Sequence, residues 1–341
     1  MKLLIYFDTI KQKKEVAVIP NVVTHGLMAL DVYNKLEDSE VRNAIAKHPK
    51  AYLLGSNGPD ILFYYKVFPW QDQKLNKKVS LYGNAVHERS INDFYSHALE
   101  FINSIKDTNR KSILISYLAG HLMHWALDTL AHPFVFYRSG KIEGETKYWH
   151  FRYESMIDSL MLAYVKRKNM NKVNITEFVN VSQEERRVIA SFYQMMLSDV
   201  FEIDTSPQVI DEAIVGMKNI LKFLYDPRNI TTPVIKKLEK KLAEPWAFSS
   251  HIVNSQLDMH HDILNLSKET WSNPTNIEET SNESFVELYD QSVDLGLTLI
   301  TALNEVLGGT RFTLNDLLLN RQYDTGRPVG VKMEYFNNIY R

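Results

Sequence analysis

One stretch constrains the fold of this chain more than any other: residues 111–131, followed by His132 and Pro133. The stretch contains a single glycine and no proline, and it is rich in Leu, Ile and Ala. This composition predicts one helix, with apolar residues on most of its sides and therefore a buried position. Because proline disfavours helical geometry in the residue before it, we predict that the helix ends at His132.

Three polar residues of this stretch, His124, Asp128 and His132, are spaced four apart. On a helix they stack along one face and drift by about 40° per step. Imidazole, carboxylate and imidazole form a ligand set for zinc or a similar metal. The alternative is a row of polar side chains on an exposed face. Buried histidine and aspartate need partners, and this need favours the metal.

Composition narrows the chemistry that such a site can use. The chain has 341 residues, 45% of them hydrophobic, which is enough to bury a large core in one domain or two. It has no cysteine, so disulfide frameworks and thiolate chemistry are excluded, and a metal site must use histidines and carboxylates. A formal charge of -2 gives no general attraction to nucleic acid, and we expect no stable nucleic-acid partner.

Targeting signals do not stand out in the sequence. The apolar run at the start is too short for a signal peptide and is followed by Asp8 and by lysines from Lys11 onward. No apolar stretch is long enough to span a bilayer. We therefore predict a soluble, cytoplasmic protein without a transmembrane segment.

We divide the chain into three parts. Residues 1–17 look detached from the rest, residues 18–226 are predicted to form a helical domain, and residues 227–341 a helical region packed on it. Apolar periodicity beyond residue 170 predicts helices over 183–199, 208–225, 233–243 and 284–307. Residues 66–83 are predicted to be irregular and residues 270–282 a polar loop.

Two further candidates for the metal site precede the long helix. His25 lies near the start of a helix predicted from Asn21, where a lone histidine is more often a surface or core residue than a ligand. Asp60 follows the turn formed by Gly58 and Pro59, and it is equally suited to cap the segment after it.

Three more candidates flank the long helix. His87 is predicted to open a helix that runs to about residue 105, where a neutral, metal-bound imidazole suits the helix dipole better than a charged one. His150 and Glu154 are four apart on a helix that continues to about residue 167. Asp158 extends their face, and it either pairs with Arg152 or lies behind the ligands.

Other polar clusters are predicted to be surface features. His260, His261 and Asp262 are adjacent, so on a helix their side chains would point apart. Four lysines form a basic stripe that is typical of a solvated helix face: Lys236, Lys237, Lys240 and Lys241.

Five histidines and three carboxylates thus follow one another in a fixed order, and this order resembles the zinc-dependent phospholipase C family. The stretches "GPDILFYYK", "HWALDTLAHP" and "NRQYDTG" are further similarities to small, unsecreted bacterial members. The likeness is firm over about residues 20–165 and looser beyond. It implies an all-α multi-helix bundle with a cluster of two or three zinc ions at the base of a cleft. The matching residues are His25, Asp60, His87, His124, Asp128, His132, His150 and Glu154.

The resemblance also implies how these residues divide among the ions. Asp60, His87, His124 and Asp128 would hold the first zinc ion. His132, His150 and Glu154 would hold the second, and His25 the third, with the Asp128 carboxylate bridging the first and third ions. Asp60 could also accept a proton. Spacing alone does not exclude His121 as a ligand, but the family pattern assigns that role to His124 and leaves His121 in the core or behind the ligands.

Two departures from the family pattern bear on function. Secreted members use an N-terminal tryptophan on the third zinc, and 24 residues precede His25 here. The third ion is therefore missing or weakly held, or else the native chain starts near Val18. Toxin-like members carry a β-rich lipid-binding module, whereas the C-terminal half is predicted to be helical here. Action on bilayer phospholipid is therefore not expected.

The favoured function is a zinc-dependent phosphoester hydrolase that acts on a small-molecule or lipid phosphoester. A single-strand-specific zinc nuclease would share the site, and it would need base-stacking aromatics. Tyr64, Tyr65, Phe68 and Trp70 are suited to stacking, but we expect them to line the core or the cleft. A non-catalytic metal-binding scaffold is the third possibility.

Overall fold

The computed structural model of this protein describes residues 22–68, 70–143, 146–168, 170, 173–242, 249–252, 260–310 and 314–340. The predicted segment 1–17 and the alternative start near Val18 lie outside these residues. The described helices are α1 Val22–Lys35, α2 Glu40–Lys47, α3 Pro49–Gly55, α4 Gln73–Glu88, α5 Ile91–Ser104, α6 Thr108–Ser139, α7 Thr146–Lys166, α8 Gln183–Phe201, α9 Pro207–Leu224, α10 Thr232–Leu242, α11 Phe285–Leu307 and α12 Asn315–Leu318. Short 3-10 helices cover Gly58–Tyr64, Ile175–Val179 and Ser249–His251.

Helix α6 is the axis of an all-α bundle, as the sequence predicts. It begins where the Asp107 carboxylate caps the first backbone N–H groups, and nearly every residue from Ile113 to Ser139 is buried. Helices α1, α2, α3, α5, α7, α8 and α11 all pack against it. Because neighbouring helices cover α6 on all sides, little of it faces solvent, and its imidazoles and carboxylate lie inside the molecule.

The predicted end of α6 at His132 is wrong. The helix continues through Pro133 to Ser139. Proline inside a helix removes the hydrogen bond to the carbonyl four residues earlier, here that of Thr129, and costs about 3 kcal/mol. The backbone at Gly326 packs closely against this carbonyl: a Cβ atom at Gly326 would lie 2.2 Å from the Thr129 oxygen. Because the residues after Pro133 are buried, tertiary packing outweighs the local preference.

The predicted irregular stretch 66–83 and the predicted start of a helix at His87 are also wrong. Helix α4 begins at Gln73, capped by the Asp72 side chain, and ends at Glu88. Its polar sequence reflects a largely exposed face rather than a loop. His87 therefore lies in the last turn of α4, where the helix dipole favours rather than opposes positive charge.

The C-terminal region contains one correction to the predicted loop at 270–282. Trp271–Asn273 and Asn276–Ser281 form a two-stranded antiparallel hairpin, in which Trp271 pairs with Ser281. Helix α11 begins at a capping box made by Ser284 and Glu287 and packs on α6 and α1. The four helices predicted beyond residue 170 are present within two residues of their predicted bounds. The division into domains stays a prediction.

Among the described residues, no helix is both long and apolar enough to cross a lipid bilayer. The longest helix, α6, buries its apolar residues inside the bundle. It also carries three histidines and an aspartate.

Candidate metal centre

The centre of the site is the carboxylate of Asp128, which faces three imidazoles. Its Oδ1 lies 3.1 Å from Nε2 of His25 and 3.2 Å from Nε2 of His132. Its Oδ2 lies 3.0 Å from Nε2 of His124. Helix α6 supplies three of these residues, and α1, which packs beside it, supplies His25. The i, i+4 spacing therefore works as predicted, and Pro133 does not remove His132 from the row.

A second carboxylate approaches the same cluster from the turn after α3. Asp60 lies in the first turn of the 3-10 helix, whose N-cap is Asn57, so Asp60 is not the cap. Its Oδ1 is 3.1 Å from Nε2 of His87 and 3.9 Å from Nε2 of His124. Ligand atoms of two residue groups lie close enough to hold a metal ion: His25, His124 and Asp128, and Asp60, His87 and His124.

The remaining predicted residues, His150 and Glu154, lie on α7 beside this cluster. Nε2 of His150 is 3.3 Å from Oε1 of Glu154, and Nε2 of His132 is 4.0 Å from the same oxygen. Both α7 residues are buried. The fold thus brings all eight sequence-predicted residues into one continuous group, although their separations in the sequence reach more than 120 residues.

The outer nitrogen of four imidazoles is held by a neighbour that fixes the ring. Nδ1 of His124 donates to the carbonyl of Ser56 at 3.1 Å, and Nδ1 of His87 donates to the carbonyl of Gly83 at 2.8 Å. Carbonyl oxygens only accept hydrogen bonds, so these two rings carry hydrogen on Nδ1 and turn Nε2 toward the carboxylates. Nδ1 of His150 contacts Oγ of Ser139 at 2.8 Å, and Nδ1 of His132 contacts Oδ1 of Asp324 at 3.1 Å.

Sequence reasoning missed these supporting contacts. Carbonyl partners such as Ser56 leave no side-chain signal. Asp324 falls within the stretch "NRQYDTG", which resembles the family but to which the resemblance assigns no role. Asp158, for which the sequence left two roles open, lies behind His25: its Oδ1 accepts from the backbone N–H and the hydroxyl of Thr24 at 2.8 and 2.7 Å. Since Thr24 adjoins His25, these bonds fix the start of α1.

The other polar candidates lie elsewhere. His121 is buried, with Nδ1 2.8 Å from the hydroxyl of Tyr95 and its ring stacked on Phe94. His260 is exposed, and the Asp262 carboxylate accepts from the backbone of Leu266 and Ser267. All four lysines of the predicted basic stripe on α10 are exposed.

The residues of the cluster fit a metal cation because their polar atoms lack other partners. Among the buried atoms without a hydrogen-bond partner in the part of the chain that the structure describes, four belong to this cluster: Nε2 of His124, both carboxylate oxygens of Asp128 and Oε2 of Glu154. An unsatisfied buried carboxylate is costly, and a cation would satisfy these atoms together. Nitrogen and carboxylate donors without thiolates suit zinc.

Electrostatics within the cluster couples the carboxylates to the imidazoles. Burial acts to raise the pKa of Asp128, but the charges of His124, His132 and His25 hold it well below its usual value. Burial acts to lower the pKa of His87, yet Asp60 raises it to about 9. The pKa of His132 rises in the same way, against burial, to about 10 through Asp128 and Asp324. Without metal, positive charge on His87 and His132 therefore balances part of the carboxylate charge of the cluster.

The raised pKa values predict how the metal-free protein responds to pH. A histidine with a raised folded-state pKa stabilises the fold fully below its unfolded pKa of about 6.5, and this stabilisation is lost as pH rises through the folded value. We expect the metal-free protein to lose about 3 kcal/mol from His87 alone between pH 6.5 and 9.5. Urea unfolding of chelator-treated protein at the two pH values measures this change, and equal stability at both would contradict it.

The cluster opens into a cavity of about 250 Å³. Six of the eight residues line it, whereas His124 and Asp128 are buried to 1% exposure behind them. Phe63, Phe136 and Ile142 give the cavity apolar walls. An adjoining groove of about 660 Å³ shares Phe136 and Asp324 with the cavity. Residues 329–333, near the C-terminus, form another part of its wall.

Comparison with known proteins gives one finding. A family model described as zinc dependent phospholipase C matches residues 24–202, just over half of the chain. The matched region contains all eight residues of the cluster. No curated protein and no solved structure was found to match.

Proposed function

Because the chain belongs to the zinc-dependent phospholipase C family, we propose that it hydrolyses a phosphoester with zinc held by the eight clustered residues. The observation that supports this most strongly is the buried carboxylate of Asp128, whose two oxygens face three imidazoles and accept no hydrogen bond among the described residues. A hydrolase with metal-dependent chemistry accounts for such an arrangement better than a purely structural core does, since structural cores satisfy their polar groups.

The proposed division of ligands follows the two faces of Asp128. Asp60, His87, His124 and Oδ2 of Asp128 would hold one zinc ion, because Asp60 faces His87 and His124, and Oδ2 of Asp128 faces His124. His25 and Oδ1 of Asp128 would hold another. His132, His150 and Glu154 would hold the remaining ion. In support of this division, Oδ2 of Asp128 faces His124 whereas Oδ1 faces both His25 and His132.

Zinc in such a site lowers the pKa of a bound water to about 7 and neutralises phosphate oxygens. The chain itself contributes placement and proton transfer. Asp60 lines the cavity with 13% of its side chain exposed, so its carboxylate can reach a water and accept a proton from it. The apolar walls formed by Phe63 and Phe136 limit bulk water beside the reacting group.

The substrate class proposed here is a phosphodiester or phosphomonoester on a small molecule or lipid. The groove next to the cavity offers apolar side chains to the part of the substrate beyond the phosphate. The nuclease alternative has less support, because Tyr64 and Tyr65 are buried and cannot stack bases. Trp70 is 61% exposed and stacks on Phe68, which keeps single-stranded nucleic acid as a substrate to be tested.

The test combines metal analysis with turnover. We expect protein purified without chelator to contain two or three zinc equivalents and to hydrolyse a chromogenic phosphodiester. Chelation should abolish hydrolysis, and added zinc should restore it. Side-by-side assays on dispersed phosphatidylcholine, a nitrophenyl monoester and single-stranded DNA identify the substrate class. Bound zinc without turnover on any of these would indicate a scaffold, and protein that binds less than one equivalent would refute the metal centre.

A further inference from the structure

A segment near the C-terminus, Asn320–Gly326, forms part of the metal centre although it lies outside the matched family region. Asn320 exchanges hydrogen bonds with Asn92 at the start of α5, one from each backbone N–H to the other side chain. Nε1 of Trp125 donates to the carbonyl of Arg321 at 2.9 Å, and the N–H of Tyr323 donates to the carbonyl of His87 at 3.1 Å. The segment is thus fixed directly beside two residues of the cluster.

The one carboxylate that this segment presents to the cluster belongs to Asp324, among the residues that the structure describes. Its Oδ1 accepts from Nδ1 of His132 at 3.1 Å. On the far side of the same ring, Nε2 lies 3.2 Å from Oδ1 of Asp128 and 4.0 Å from Oε1 of Glu154. The imidazole therefore lies between an outer carboxylate and the buried ones, with its metal-facing nitrogen directed inward.

His132 needs such an anchor more than His124 and His87 do. Backbone carbonyls hold these two rings, and backbone atoms are fixed by the fold itself. His132 precedes Pro133 in α6, where the helix lacks a hydrogen bond, and its side chain is 12% exposed in the cavity wall. Without Asp324, its ring would be free to rotate or to exchange the nitrogen that carries hydrogen.

We propose that Asp324 is a positioning residue that orients His132 for metal binding, so that the C-terminal segment completes the zinc site formed with His150 and Glu154. The inference rests on the proposed metal-dependent function. A carboxylate behind a metal-bound histidine fixes the ring and its tautomer, and its removal typically weakens metal binding by about 10- to 100-fold.

A merely structural role for Asp324 predicts a different outcome. Asn320, Arg321 and Tyr323 anchor the segment through contacts that do not involve the Asp324 carboxylate. Removing this carboxylate should therefore leave the segment in place, and in the metal-free protein it should cost only the ion pair with His132. A loss of zinc affinity beyond the loss of stability in chelator identifies positioning, whereas a loss of stability in chelator with unchanged zinc affinity identifies a structural role.

The experiment compares three variants of the full chain. D324A removes the acceptor, and D324N keeps an oxygen that can accept from Nδ1 of His132. E334A is the control, because Glu334 is an exposed carboxylate that follows this segment in the chain and does not line the cavity. Zinc affinity is measured by competition with a chromogenic chelator, and thermal unfolding is measured in excess chelator.

We expect the weakest-bound zinc of D324A to be weakened by about 10- to 100-fold, with partial recovery in D324N and no change in E334A. The unfolding temperature in chelator should match the wild type in E334A, and in D324A and D324N it should fall only by the contribution of the lost ion pair with His132. Unchanged zinc affinity in D324A, or an equal loss in E334A, overturns the inference. If the wild type binds no zinc, the proposed function fails as well. If the wild type binds zinc and hydrolyses phosphoesters, only the role of Asp324 is at stake.

Discussion

Replacing Asp128 with asparagine is expected to lower phosphoester hydrolysis by about 1000-fold or more and to remove at least one zinc equivalent. The two carboxylate oxygens face His25, His124 and His132, so a neutral amide removes negative charge from the point where three imidazoles converge. Metal ions supply several kcal/mol of charge stabilisation in such reactions, and each 1.4 kcal/mol corresponds to about a tenfold change in rate.

The control for this variant is D199N, which changes an exposed aspartate near the end of α8. It should keep the zinc content and the rate of the wild type, since surface substitutions change stability by about 0.5 kcal/mol or less. Elemental analysis and steady-state kinetics at several zinc concentrations measure both variants. If D128N retains its metal and its rate, the carboxylate is not a ligand, and the proposed ligand set is wrong at Asp128.

The second large effect is expected at Gly58, where an alanine should lower stability by about 3 kcal/mol and weaken zinc binding. Gly58 has a φ of +47°, in the left-handed region that costs other residues about 1–2 kcal/mol. A Cβ atom at this position would lie 2.2 Å from Cδ2 of His124. The added methyl therefore displaces His124, a proposed ligand. Such overpacking lowers the stability of the fold by a further amount of about 1–3 kcal/mol.

Gly309 offers a matched control. Its φ is +86°, and a Cβ atom there would meet no atom within 4 Å. G309A thus introduces backbone strain alone, whereas G58A introduces strain and a clash with His124. Urea unfolding in chelator and zinc competition separate the two contributions. Equal behaviour of the two variants in both measurements would show that the turn at Gly58 can open without disturbing His124.

Much of the architecture follows from local sequence patterns. The apolar periodicity of residues 111–131 predicts the central helix, and the spacing of His124, Asp128 and His132 predicts that they share one face. The predicted bounds of the C-terminal helices hold because caps such as Ser284 stand immediately before them. The family assignment, made first from the order of eight residues, agrees with the family model.

The errors share a physical cause. Local preference alone predicts the wrong structure for Pro133, for the polar stretch before His87 and for the residues of the hairpin. In the fold, the buried surroundings hold Pro133 within α6, and Asn76 of α4 donates to the carbonyls of Phe63 and Tyr65. The hairpin at Trp271 is held by its ladder and by the bond from the Trp271 indole to the carbonyl of Glu283. Except at the turn of the hairpin, these paired residues lie eight or more positions apart in the sequence.

The sequence by itself determined the residue types of the site, because only histidines and carboxylates are available in a chain without cysteine. It also determined which of them share a helix face, because helical spacing is a local property. Tertiary structure alone decided which groups hold them in place. The Ser56 carbonyl and the Asp324 carboxylate reach the cluster from distant parts of the chain, and Asp158 binds Thr24 of another helix. Hydrogen bonds of about 3 Å depend on how helices pack rather than on spacing.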